Sequence, residues 1–155
     1  MPVLDKLSAL GITLPPPAAA VANYLPAVIA GDTVIVSGQL PLVAGKLTCS
    51  GKLGKDVSVE EGYAAARQCA INALAAVNNV IDGDWSRVVQ VVRLGGFVAS
   101  AEGFTDQPKV INGASDFMVE VFGDLGRHAR AAVGVAELPL GAAVEVEFTF
   151  RLASK

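Results

Sequence analysis

The segment Val144-Glu145-Val146-Glu147-Phe148-Thr149-Phe150-Arg151 alternates apolar and polar side chains without a break. Successive side chains on a strand point to opposite faces, so Val144, Val146, Phe148 and Phe150 share one face and Glu145, Glu147, Thr149 and Arg151 the other. A helix would scatter both sets around its axis. The chain must therefore build a sheet with one apolar face that needs covering and one polar face.

The stretch before it, His128 to Pro139, reads as a second strand. Arg130, Ala132, Gly134 and Ala136 fall on one face, and Ala131, Val133 and Val135 on the other. Arg130 thus heads a row with almost no bulk, leaving room beside it for a small ligand. Its planar fork matches a carboxylate through paired hydrogen bonds. With Glu145 and Glu147 following, the pattern is that of an anion pocket with acid/base groups at hand. The alternative is a solvated face on which Arg130 pairs with one of these glutamates.

The remaining chain supplies the other layers. Val3 to Leu10 reads as a short helix stopped by Gly11, and Pro15-Pro16-Pro17 forces an extended segment, so residues 1–22 form an arm ahead of a domain spanning 23–155. Tyr24 to Ala30 and Thr33 to Ser37 read as two strands about a Gly31-Asp32 turn. Gly38 marks either a bulge or a close approach of backbone or ligand. Val43 to Asp56, rich in Gly and Lys, reads as a connecting loop with no phosphate-cradling pattern. Ser58 and Glu61 form a capping box for a long helix whose stripe is Tyr63, Ala66, Ala70, Leu74, Val77 and Ile81, ended by Gly83. Trp85 is a core or interface anchor. Val88 to Ala99 reads as a strand in which Gly95-Gly96 signals a bulge or close contact. Pro108 opens a second helix reaching Phe122, with Val110, Ile111, Ala114, Phe117, Met118 and Val121 as its stripe.

The order is strand, strand, helix, strand, helix, strand, strand. It predicts an α+β domain with a mixed sheet and two helices on one face, a weak structural duplication. The other sheet face then needs cover from other copies. Composition points the same way: 17% of the 155 residues are charged, against roughly 25% in ordinary soluble domains, and the mean hydropathy is +0.50. No stretch is long and apolar enough to span a bilayer. A homo-oligomer is expected, with no membrane partner.

Other partners are limited by charge. A net charge of −3, with scattered basic residues, argues against nucleic acid, which needs a basic stripe. Cys49 and Cys69 lack metal-ligand or redox spacing, and one histidine cannot make a histidine-rich site, so neither metal nor cofactor is expected. His128 is either a structural residue or a lone acid or base. With no basic segment and apolar core at the start, the reducing cytoplasm is the expected compartment.

Ser37-Gly38-Gln39-Leu40-Pro41, Phe97-Val98, Asn112, Phe117, Phe122-Gly123, Ala129-Arg130, Val133, Leu138-Pro139 and Val144-Glu145-Val146-Glu147 occur in an order that resembles the reactive intermediate deaminase family, also called YjgF-like or endoribonuclease L-PSP. The resemblance covers about residues 23 to 152. It implies a chorismate-mutase-like fold assembled as a homotrimeric barrel with a site at each subunit interface. It also implies hydrolysis of 2-imino acids, or their enamine tautomers, to 2-keto acids and ammonia. Carried over by position, Arg130 would hold the substrate carboxylate and Glu145 would place the attacking water. Tyr24, Ser37, Gly38, Asn112 and the Ala132 backbone would line the substrate. The chain departs from the family at Ala131, where active members commonly carry a hydroxyl residue, and at His128, where they commonly carry proline. A non-catalytic carboxylate-binding protein is the competing expectation. The ribonuclease label fits least, given the acidic charge and few aromatics.

Overall fold

The computed structural model describes residues 3–17 and 22–154. Part of the expected arm, residues 1–2 and 18–21, and Lys155 at the end of the expected domain lie outside the described residues. The elements run α1 (Val3–Ala9), β1 (Ala27–Ala30), β2 (Thr33–Gln39), β3 (Leu42–Val43), β4 (Lys46–Leu47), α2 (Val59–Val80), β5 (Val88–Ala99), α3 (Gln107–Phe122), β6 (Ala129–Val135) and β7 (Val144–Leu152). The main sheet has five strands in the order β1-β2-β7-β5-β6. Only the β5–β6 pair is parallel, with α3 as its crossover. This is the mixed α+β sheet that the alternation and helix spacing predict.

The apolar face of β7 is the floor of the core. Val144, Val146, Phe148 and Phe150 are at most 2% exposed, together with Val34 and Val36 of β2 and Val91, Leu94 and Val98 of β5. Each large side chain buried there contributes about 1.5–3 kcal/mol. The helices α2 and α3 cover this face and pack against each other. The capping box of α2 is complete: Glu61 N donates to Ser58 Oγ at 3.1 Å and Ser58 N to Glu61 Oε2 at 3.0 Å. Alanines and Cys69 line its inner surface, so it lies close to the sheet; Cys69 is 0% exposed, its Sγ 3.9 Å from the Val144 carbonyl oxygen. Gly113 of α3 abuts the Tyr63 carbonyl of α2, leaving no space for a β-carbon. On the outer side Arg67 stacks 4.7 Å over the Phe117 ring and reaches Glu120 at 2.7 Å.

At the N-terminus, α1 adds Val3 and Leu7 to the core and ends where Gly11 turns with φ +69°. Trp85 is 7% exposed and its indole N–H donates to Asn78 Oδ1 at 2.8 Å, which makes it a core anchor. No helix among the described residues is long and apolar enough to cross a membrane.

Two local expectations are corrected, and at Gly95-Gly96 the structure decides between the two readings in favour of close contact. Residues 43–56 are not all loop: Leu42–Val43 and Lys46–Leu47 pair as a small hairpin, turned by Ala44 and Gly45 at φ 50° and 77°. Two-residue strands carry no readable alternation. The first strand begins at Ala27 rather than Tyr24, since Pro26 just before it offers no N–H to a ladder. In β5 the register shifts fall at Val88/Gln90 and Val91/Arg93, not at the glycines. Gly95 and Gly96 instead admit close contacts, Glu147 and Arg93 on one face and Ile111 of α3 on the other.

Candidate active site

Parallel pairing sets the direction of Arg130. It stands opposite Leu94, and because paired residues share a face, both point to the helix side of the sheet. There its Nη1 donates to Ser115 Oγ at 3.0 Å and its Nη2 to the Pro108 carbonyl at 3.3 Å, both on α3. Ser115 also lies 2.9 Å from His128 Nε2, whose ring Nδ1 is 2.6 Å from the Gly126 carbonyl. Asn112 is half-buried on the same polar side of α3, one turn from both Pro108 and Ser115. Ala132 pairs with Gly96 and packs on the core, and Gly134 has space only because it lacks a β-carbon that Gln107 and Ser100 would meet.

The expected pairing of Arg130 with a glutamate is not formed. Glu147 pairs with Arg93 at 3.3 Å, and Arg130 makes no ion pair among the described residues. The physical reason is the pleat. Glu145 stands opposite Phe97, and Glu147 opposite Gly95, on the open face away from α2 and α3. Within one chain Arg130 and Glu145 therefore lie on opposite sides of the sheet, and the single-chain anion pocket flanked by carboxylates that the sequence suggests does not exist.

On the open face Glu145 is half-buried. Burial pushes its carboxyl above the ordinary glutamate range, and the charge of Glu147 pushes it the same way. Space for it comes from Gly38, where β2 carries a bulge between Val36 and Gln39 and where a β-carbon would run into Glu145 Oε1. Both readings of Gly38, bulge and close approach, hold together. Ser37 does not present its hydroxyl to Glu145: Oγ donates to the Leu25 carbonyl at 2.6 Å, and Ser37 N donates to the Pro26 carbonyl at 2.9 Å. These bonds pin the segment that carries Tyr24, which is 54% exposed. A surface cleft walled by Lys6, Trp85, Glu120 and Leu125 lies apart from both Arg130 and Glu145. No cluster of three or more His, Cys, Asp or Glu side chains suited to a metal occurs among the described residues.

The sequence reading missed Ser115. Its signal was present as a stripe, since Pro108, Asn112 and Ser115 follow at helical spacing on the side of α3 away from the apolar residues.

A five-stranded mixed sheet, two helices on one face, an edge-strand arginine and an open-face glutamate define an α+β domain of chorismate-mutase-like type. The profile of the family described as "YjgF/chorismate mutase-like, putative endoribonuclease" matches residues 5–151, and the chain belongs to that family. Protein TCP17 of Trypanosoma cruzi is 50% identical over 148 residues, covering 94% of this chain and 91% of its own. The crystal structure of Atu1372, a protein of unknown function from Agrobacterium tumefaciens, superposes with a TM-score of 0.90 at 45% identity, covering 97% of this chain and 93% of that one. At greater distance, RidA from an Antarctic Psychrobacter gives a TM-score of 0.58 at 28% identity, covering 90% and 95%.

Proposed function

We propose that this protein hydrolyses reactive 2-imino acids, or the enamines that equilibrate with them, to 2-keto acids and ammonia. The observation that carries the proposal is Arg130: an exposed guanidinium held by Ser115 and Pro108, with no carboxylate paired to it among the described residues and only small side chains beyond it along its strand face. Such a group takes the carboxylate of a small acid through charge-assisted hydrogen bonds, each contributing roughly 1.5–3 kcal/mol. Likeness to a protein named RidA supports the same class of chemistry.

A protonated imine is already electrophilic, so neither a covalent nucleophile nor a metal is required. Glu145 accepts a proton from water as its oxygen bonds to C2. The tetrahedral carbinolamine then collapses: nitrogen takes the proton from Glu145, and the C–N bond breaks as the C2 hydroxyl gives its own proton back to Glu145 and becomes the ketone oxygen. Ammonia leaves the 2-keto acid and takes that last proton as ammonium, which restores the Glu145 carboxylate. A carboxylate raised by burial is a stronger base for this step than a solvated one. Because Arg130 and Glu145 face opposite ways, the reaction needs one from each of two copies. A homotrimer whose open sheet faces turn inward, with sites between neighbours, meets that requirement and covers Ile35 and Val133, exposed at 48% and 45%. The proposed setting is the cytoplasm, where pyridoxal-phosphate enzymes release such imines.

Ala131, in place of the hydroxyl residue common in active members, favours a second reading in which the site binds small carboxylates without turnover. One assay separates the two: hydrolysis of 2-iminopropanoate and 2-iminobutanoate, generated in situ, by the native chain and by Arg130→Ala. Acceleration by the native chain that is lost in the variant is the expected result. A folded, assembled native chain that binds 2-keto acids without accelerating the reaction would replace the enzyme reading with the binding one.

A further inference from the structure

We infer that Ser115 and His128 are positioning residues that aim the Arg130 fork and so set the affinity for the ligand's carboxylate; the inference rests on the carboxylate-binding role proposed for Arg130. The directions of the hydrogen bonds follow from what each partner can do. The Gly126 carbonyl only accepts, so His128 Nδ1, 2.6 Å away, bears a proton and donates. The guanidinium only donates, so Ser115 Oγ accepts from Nη1 at 3.0 Å. The Ser115 hydroxyl proton is then free to point at His128 Nε2, 2.9 Å away, which is the accepting nitrogen of the Nδ1–H tautomer. In this arrangement Arg130 donates to Ser115, Ser115 to His128 and His128 to Gly126, and every member is satisfied.

Both ends of this relay are anchored on α3. Ser115 belongs to the helix, and Gly126 sits so tightly on it that a β-carbon would run into the Met118 carbonyl. The Pro108 carbonyl holds Nη2 from the first turn of the same helix. A long, flexible side chain is thereby held at two points before any ligand arrives, while other N–H groups of the fork stay available. Ordering a free arginine on binding would cost rotamer entropy, and this preorganisation removes much of that cost. The line of His128, just ahead of β6, with Arg130 and Ala132 on it, and the stripe Pro108, Asn112, Ser115 along α3 face one another, which is why one serine can meet residues two positions apart.

An interaction made equally with bound substrate and transition state changes KM and leaves kcat alone. The test measures the dissociation constant for 2-oxobutanoate by NMR titration, and kcat and KM for 2-iminobutanoate, in Ser115→Ala, Ser115→Thr, His128→Gln, His128→Leu and Arg130→Ala. Alanine suits a helix interior, and thermal melts confirm that each variant is folded. Ser115→Ala and His128→Leu are expected to weaken 2-oxobutanoate and raise KM about three- to tenfold, with kcat within about twofold of native. Ser115→Thr keeps the hydroxyl and His128→Gln keeps an acceptor near the Nε2 position, so both are expected to stay near native. Native affinity in Ser115→Ala, alongside weakened binding in Arg130→Ala, would overturn this inference and leave the role of Arg130 standing. Equal binding by the native chain and Arg130→Ala, or no binding by the native chain, would overturn both.

Discussion

Gly38 and Glu145 touch across the bulge of β2, so closely that a β-carbon on Gly38 would occupy the place of the Glu145 carboxylate. The neighbour in the way is the tip of a flexible side chain rather than backbone. Gly38→Ala is therefore expected to turn Glu145 aside while leaving the fold within about 1 kcal/mol of native stability. Displacement of a catalytic base by about 1 Å costs on the order of 100-fold in rate. Turnover of 2-iminobutanoate set beside a thermal melt checks this, and native turnover in a folded variant would contradict it.

The proton on Glu145 links function to pH. The folded chain raises its carboxyl above the 4.5 of a free glutamate, first through burial and then through Glu147. Between the two values the native state binds more protons than the unfolded one, so stability falls as pH rises through that window and stays lower above it. Glu145→Gln, which cannot ionise, should melt higher than the native chain near neutral pH, with the difference closing as pH drops below 4.5. In the native chain the acid limb of the kcat profile is expected to fall at a pH above 4.5, because the proposed base must be unprotonated.

Opposite facing of Arg130 and Glu145 predicts complementation. Arg130→Ala and Glu145→Gln are each expected to be inactive alone. Co-expressed and assembled at random, they should recover about a quarter of native activity, since about one interface in four then joins an intact arginine to an intact glutamate. No recovery in mixed assemblies, verified by mass spectrometry, would contradict a site made by two copies.

A different glycine tests the scaffold. At Gly113 a β-carbon would meet the backbone carbonyl of Tyr63, and backbone cannot step aside as a side chain can. Gly113→Ala gains helix propensity of about 1 kcal/mol but forces α2 and α3 apart, so a net loss of about 1–3 kcal/mol is expected by urea denaturation.

Much of the fold was legible because it depends on local pattern. The alternation from Val144 to Arg151 and the Ser58–Glu61 box each appear in the structure as read. The relation between Arg130 and Glu145 was not legible. It depends on two registers, Leu94 with Arg130 and Phe97 with Glu145, and alternation within a strand says nothing about how that strand faces its neighbour. Ser115 escaped notice because a serine on the polar side of an amphipathic helix looks solvated until the strand beneath it is placed. The Pro108 carbonyl escaped because backbone acceptors leave no mark in a sequence.

The thiol of Cys69 is sealed between α2 and β7, and burial holds it well above the ordinary thiol range, so its nucleophilic form is suppressed in the native state. Cys49 is only half-buried. The chain thus carries its own clock: alkylation at Cys69 can proceed only as often as helix and sheet part, and its rate counts those openings without any label being engineered in.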